Sequence, residues 1–223
     1  MDKLWTVSAD TFINEKESIM RFGNLYQISN GYMGYRGTLD EFDPGQLVGI
    51  TLAGIFDQVG EAWREPVNAP NGVYTKLSID GVEVSALSSE IVSHSQHINL
   101  RNASFERDTL FSVNGKQLRI QSKRFLSAAN PNLIVVEYSF STNSNATITI
   151  NTGIDYNIWD LNGPHLLNPI AEKLDNTLLV SATTNELKKS LSVAELIDFT
   201  VGNEIHRISN NYNLRTIELS ATA

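Results

Sequence analysis

Residue types that could do chemistry concentrate in residues 21–70. Glycines at 31, 34 and 37 surround Tyr32, Tyr35 and Arg36 and invite comparison with a phosphate loop. Their spacing fits neither the dinucleotide-binding nor the Walker A pattern, and no lysine follows. Tight turns and close backbone approach are the better account of these glycines. Arg36 offers a planar fork that can pair with Asp40 or Glu41 or grip an anion. Its expected role is to pin a loop through several directed hydrogen bonds, to a carboxylate such as Asp57 or Glu65 or to nearby carbonyls. Acids at 40, 41 and 43 could supply the paired carboxylates of glycosidic chemistry. Three acids within four loop residues are read here as solvated.

The histidines add little on spacing alone. His94 and His97 are three apart in a segment with no helical pattern, so on a strand they face opposite ways and cannot share a metal ion. His165 and His206 have neither cysteine nor clustered acid near them in sequence. No metal site is expected, and no Gly-x-Ser-x-Gly elbow marks a hydrolase triad. Trp5, Trp63, Trp159, Tyr32, Tyr35 and Phe56 could stack on sugar rings, although aromatics more often anchor cores and interfaces. Trp63 and Trp159, set among charged and turn residues, are the first candidates for a surface role.

Composition narrows the class. Of 223 residues, 41% are hydrophobic and only 19% charged, so a single core can form without staples. The net charge of −8 argues against a nucleic-acid backbone or an anionic membrane as partner. Cysteine is absent, which excludes thiol nucleophiles, disulfide frameworks and Cys-ligated zinc. No stretch reaches the length of a transmembrane helix, and the first residues lack the pattern of a signal peptide. A cytoplasmic protein is the expectation.

The elements that must position these residues are strands. Leu77 and Ile79 alternate into Val82 and Val84 around Asp80-Gly81, a hairpin signal because both turn residues need positive φ. Phe111–Val113 and Leu118–Ile120 repeat the pattern around Asn114-Gly115. A third pairing is expected between residues 133–140 and 146–151, with further strands at 177–183, 191–199, 204–208 and 214–219. Helical evidence is thin, with a turn or two at 171–174 and 186–189. Many short strands joined by turn residues indicate an all-β antiparallel sandwich or barrel, read as one domain over residues 1–223.

Four blocks then carry a resemblance. The run Gly23-Asn24-Leu25-Tyr26-Gln27-Ile28-Ser29-Asn30-Gly31-Tyr32-Met33-Gly34-Tyr35-Arg36-Gly37-Thr38-Leu39-Asp40-Glu41 is similar to the amino-terminal motif of glycoside hydrolase family 65. Leu52-Ala53-Gly54-Ile55-Phe56-Asp57 and Arg64-Glu65-Pro66-Val67-Asn68-Ala69-Pro70-Asn71 resemble its next two blocks, in order. Arg124-Phe125-Leu126-Ser127 resembles its Arg-Phe-x-Ser segment. The family holds maltose, kojibiose, nigerose and trehalose phosphorylases and some trehalose hydrolases.

The resemblance implies a large antiparallel β-sandwich, the supersandwich of galactose-mutarotase type, at the front of a multidomain enzyme. A helical linker, an (α/α)6 barrel and a small β-domain would follow. The implied catalytic Glu lies in the barrel, so no catalytic residue and no cofactor is assigned to this chain. Inorganic phosphate would be a co-substrate of the parent enzyme if it is a phosphorylase. The implied partners are the barrel, a second copy in a homodimer, and for the parent an α-linked glucose disaccharide. Asn30, Gly31, Tyr32, Arg36, Asp57, Trp63, Arg64, Glu65 and Asn68 are the candidate barrel-facing or sugar-cleft surface. Residues 30–37 and 64–71 are expected to lie on one face. A free-standing mutarotase-like epimerase, or a carbohydrate-binding module, is the alternative.

Overall fold

The structure, a computed structural model, describes residues 3–222 apart from 176, 199, 202–203, 206–208 and 214–215, with side chains described from 4 to 200. The chain begins with β1 (Thr6–Ala9), α1 (Lys16–Leu25), β2 (Ile28–Ser29), β3 (Met33–Tyr35), β4 (Ile50–Leu52), β5 (Phe56–Asp57) and β6 (Glu65–Pro66). Longer strands follow: β7 (Asn71–Ile79), β8 (Val82–Val84), β9 (Glu90–Asn99), β10 (Ser104–Val113), β11 (Lys116–Leu126), β12 (Ile134–Thr142) and β13 (Ile148–Asp155). The last described side chains belong to β14 (Leu166–Leu174), β15 (Thr177–Thr184), β16 (Ser190–Leu196) and the start of β17 (Thr200–Val201). Expected strands at 204–208 and 214–219 fall partly outside the described residues; Glu204–Ile205 and Thr216–Thr222 are strands.

Both Gly-containing hairpins form as read. Asp80 and Gly81 have φ of 49° and 80°, and Asn114 and Gly115 have 50° and 79°, the left-handed pair that matches strand twist. The third expected pairing does not form. β12 pairs with β11 from Leu118↔Thr142 to Leu126↔Ile134, and β13 lies outside that sheet. The polar stretch between β12 and β13 is a crossover and not a hairpin turn. Residues 171–174 are likewise not helical but the end of β14, since their backbone pairs with β15 from Ala171↔Val180 to Leu174↔Thr177. Among the described residues the one α-helix is α1; it carries no side-chain N-cap, and its inward positions Ile19, Phe22 and Gly23 follow the helical spacing.

The chain divides into two compact units, Met1–Asp40 with Lys76–Thr149 and Glu41–Thr75 with Ile150–Ala223. In the first, five antiparallel strands run in the order β1-β9-β10-β11-β12. β10 and β11 alternate buried and open positions, placing Phe105, Phe111, Leu118 and Ile120 inward. Tyr26, just after α1, stacks on Phe22 and leans on Phe105, with ring centroids 5.9 Å apart in each pair. Two glycines make this approach possible. A Cβ on Gly37 would lie 2.4 Å from that of Tyr26, and one on Gly23 would lie 2.8 Å from the Arg36 guanidinium carbon.

Charge is also buried, which corrects the reading of the acids at 40 and 41 as solvated, whereas Asp43 is exposed as expected. Asp40 is 1% exposed and faces Arg107 and Arg124, 3% and 1% exposed. Its Oδ2 accepts from Ser122 Oγ at 2.7 Å and Arg107 Nη1 at 3.4 Å, while Arg124 Nη1 lies 3.8 Å from Oδ1. Arg124 also donates to the Thr38 carbonyl and lies between the rings of Tyr35 and Phe105, at 4.8 and 4.5 Å. A weakly hydrated guanidinium tolerates that slot where an ammonium would not. Glu41 is buried too, and Asp43 caps a 3₁₀ turn (Pro44–Gln46) by accepting from Gly45 N at 2.7 Å.

In the second unit β14, β15 and β16 form an antiparallel sheet. Leu178 and Val180 on its inner face, with Ile154 from β13, are fully buried. Tyr156, Ala171, Val193 and Ile197 close around them.

Candidate functional site

The short hairpin of β5 and β6 builds the site. It pairs Asp57 with Glu65 and Phe56 with Pro66. Side chains alternate along a strand, so the two carboxylates turn inward together while Phe56 and Pro66 turn out. Between the carboxylates sits His165, 0% exposed. Its Nδ1 lies 3.0 Å from Asp57 Oδ2, and its Nε2 bonds Glu65 Oε1. Both acids are further satisfied: Asp57 Oδ1 accepts from Glu186 N at 2.7 Å, and Glu65 accepts from Asn162 N and Nδ2 at 3.0 and 3.2 Å.

The electrostatics follow from that geometry. Burial disfavours the imidazolium, but the bonds to Glu65 and Asp57 and the nearby Asp160 charge outweigh it and hold His165 above the usual histidine range. Burial pushes Asp57 up, yet the Glu186 N–H and His165 bring it below the ordinary value. Glu65 shows the same balance, with His165 and Asn162 prevailing over burial. Asp160, by contrast, is raised by burial. The arrangement is an imidazolium clamped between two carboxylates. Those acids approach opposite ring nitrogens, so one ion cannot bind all three groups. Among the described residues no cluster of three or more His, Asp or Glu side chains is placed to hold a metal ion.

The outer side of this hairpin is open. Trp63 is 65% exposed and Phe56 44%. Arg64, beside them, pairs with Glu186. Asn68 is inside, donating to the carbonyls of Val48 and Trp159 at 3.2 and 3.1 Å and accepting from Ile50 N at 2.9 Å. Trp159, expected at a surface, is half-buried and donates Nε1 to the Val48 carbonyl at 2.6 Å.

The other candidates belong to the first unit. Asn30 donates to the carbonyls of Ser127 and Pro131 at 2.8 and 3.0 Å and accepts from Met33 N and Tyr32 N at 2.8 and 3.1 Å. Its amide holds a turn, with Gly31 at φ 90° and Tyr32 at the surface. Arg36 is half-buried against α1, donating Nε to Asn24 Oδ1 at 3.0 Å and Nη2 to the Met20 carbonyl at 2.7 Å. Its fork thus serves a carbonyl and an amide, while Asp57 and Glu65 converge on His165. Blocks 30–37 and 64–71 fall in different units.

Sequence reading missed His165. No clustered acids lie near it in sequence, and its ring partners lie 108 and 100 residues away. His94 and His97 do face opposite ways: His94 Nδ1 is 2.8 Å from buried Thr109 Oγ1, and His97 Nε2 is 3.2 Å from Glu106 on the open face.

Glu195 is a further group that spacing could not reveal. On β16, its Oε1 accepts from Thr152 Oγ1 at 3.1 Å, and Thr152 Oγ1 is 3.0 Å from Thr75 Oγ1. Oε2 is buried with no hydrogen-bond partner among the described residues. Burial pushes its pKa up to about 8, against the Thr152 hydrogen bond. A folded pKa above the unfolded one means this group favours folding fully below about pH 4.5 and loses that contribution as pH rises through about 8. Glu195→Gln is therefore expected to raise the urea midpoint at pH 8.5 and to leave it nearly unchanged at pH 5. Equal shifts at both pH values would rule out a protonated Glu195.

The fold is an all-β antiparallel sandwich domain, and comparison with known proteins makes the assignment specific. Residues 14–222 match the amino-terminal domain of glycosyl hydrolase family 65, and the chain belongs to that family. Nigerose phosphorylase of Lachnoclostridium phytofermentans is 40% identical over 161 residues, covering 72% of this chain and 21% of that protein. 1,2-alpha-glucosylglycerol phosphorylase of Bacillus selenitireducens is 29% identical over 145 residues, 65% of this chain and 19% of its own. Kojibiose phosphorylase of Escherichia coli is 30% identical over 143 residues, 63% and 18%. A solved structure assigned as a kojibiose phosphorylase from the human microbiome superposes on the whole chain with a TM-score of 0.84 at 16% identity, and the match covers 30% of that structure. The chain thus spans about a fifth of the length of these curated relatives. No helix among the described residues is long and apolar enough to cross a membrane.

Proposed function

We propose that this chain is the non-catalytic amino-terminal domain of a cytoplasmic α-glucoside phosphorylase. In that reading it docks on an (α/α)6 catalytic barrel and contributes to a homodimer. The parent enzyme splits an α-linked glucose disaccharide with inorganic phosphate as co-substrate. The observation that carries the reading is the family match over 14–222, with the aligned stretch covering about a fifth of the phosphorylases it resembles. The hairpin supports the docking role. His165 locks its inner side, so Trp63, Arg64 and Phe56 are presented on a rigid frame, and Trp and Arg are the residue types that dominate interface energetics.

Burial of His165 weighs against the mutarotase alternative. An acid–base pair for sugar epimerisation must touch the sugar, and this imidazole is closed to solvent with both nitrogens engaged. The test is turnover by the purified chain on nigerose, kojibiose and maltose with inorganic phosphate, alongside polarimetric mutarotation of glucose. Neither rate is expected above a buffer blank. Release of glucose 1-phosphate, or accelerated mutarotation, would overturn the non-catalytic role.

A further inference from the structure

We propose that the open face of the first unit's sheet is a binding trough for a neutral saccharide of one or two rings. An open trough of about 570 Å³ lies across β9, β10, β11 and the end of β12, within the range of small-ligand sites. Cross-strand register builds it from two rows. Ser93, Leu110, Arg119 and Ser141 form one; Ser95 and Asp108 belong to the next, which Gln121 and Ser139 continue beyond the trough lining. Short serines on both outer strands flank longer side chains at the centre.

A solvated sheet face is the ordinary account of such a surface, because antiparallel sheets commonly leave one side to water. The neighbouring row on the same face fits that account: His97, Glu106, Lys123 and Glu137 are long and polar, and Glu106 is approached by both His97 and Lys123. The trough rows differ in kind. Their one cation and one anion are consumed by each other, Arg119 donating Nε to Asp108 Oδ1 at 2.8 Å and Nη2 to Oδ2. Gln121 Nε2 donates to the same Oδ2 at 2.9 Å. The three central side chains are thereby held in place before any ligand arrives.

That chemistry selects the ligand class. An anion meets the Asp108 carboxylate and finds the Arg119 fork already occupied, and an apolar ligand finds only Leu110. A sugar matches what is left. Vicinal hydroxyls both donate and accept, as serine hydroxyls, a carboxylate and an amide require, and Leu110 lies under the C–H face of a pyranose. With no aromatic platform, affinity in the millimolar range is expected. This site is independent of the proposed catalytic parent, because it lies on the chain itself.

The experiment is an amide-resolved NMR titration of the chain with nigerose, kojibiose and maltose up to about 50 mM. Saturable shifts centred on Ser93, Ser95, Arg119 and Ser141 are expected, with Arg119→Ala weakening binding at least tenfold. Ser141→Trp, which fills the trough from its outer strand beside Arg119, is expected to abolish the shifts while the thermal midpoint shows that the chain stays folded. Absent or unsaturable shifts, shifts centred on Trp63, or equal binding by Ser141→Trp would each overturn the proposal.

Discussion

His165→Ala is expected to lower stability by about 3–5 kcal/mol at pH 7, the cost of leaving buried charge unpaired. The deletion leaves Asp57 and Glu65, 0% and 5% exposed, facing each other with no cation between them. The pH dependence separates this cause from simple cavity formation. In the native chain His165 is raised, so its contribution is complete below about pH 6.5 and is lost as pH rises through the folded value. Asp57 and Glu65 are depressed, so theirs is present above about pH 4.5 and is lost as pH falls through their folded values. The cluster is therefore most stabilising between about pH 4.5 and 6.5. In His165→Ala the two acids no longer have a reason to stay ionised, and protonating one relieves their repulsion. Urea melts should show the penalty shrinking as pH falls from 7 to 5. A penalty that grows as pH falls, following the native His165 contribution alone, would show that the two acids stay ionised without their partner.

Asp40→Ala is expected to be as costly, again about 3–5 kcal/mol. Here the lost group is a carboxylate that Arg107 and Arg124 both face, and neither guanidinium can shed its proton. Asp40→Asn keeps an acceptor for Ser122 and should fall between wild type and alanine. Because no titratable rescue exists, the loss should be nearly flat from pH 5 to 8, unlike that of His165→Ala. A midpoint shift worth under about 1 kcal/mol for Asp40→Ala would mean that the cluster is solvated and that the arginines do not depend on this carboxylate.

These two clusters mark where sequence reading was sound and where it stopped. Asp80-Gly81 and Asn114-Gly115 were legible because a tight turn is a local event, decided by which residues accept positive φ. The strand alternation of β10 and β11 was legible for the same reason, since period two is written along one segment. The opposed faces of His94 and His97 followed from it. Strand existence at 133–140 and 146–151 was also local, but their partners were not. β11 took β12, and nothing in the polar stretch between β12 and β13 encodes that choice. The helix α1 was hard to see because its apolar face is short, with Ile19 and Phe22 completed only by Tyr26 beyond its end and by Arg36 bonding back to it.

By itself the sequence determined the all-β class, the tight hairpins, the absence of thiol chemistry and the four ordered blocks that mark family 65. Each depends on residue identity or on neighbours a few positions apart. Tertiary structure alone decided that Asp40 is a buried counter-ion and not a solvated loop acid, that His165 meets Asp57 and Glu65 across 108 and 100 residues, and that Glu195 is pushed up to about 8. The physical reason is common to all three. The state of an ionisable group depends on what lies within a few ångströms and on how much water remains there, and neither is recorded in the residue's neighbours along the chain.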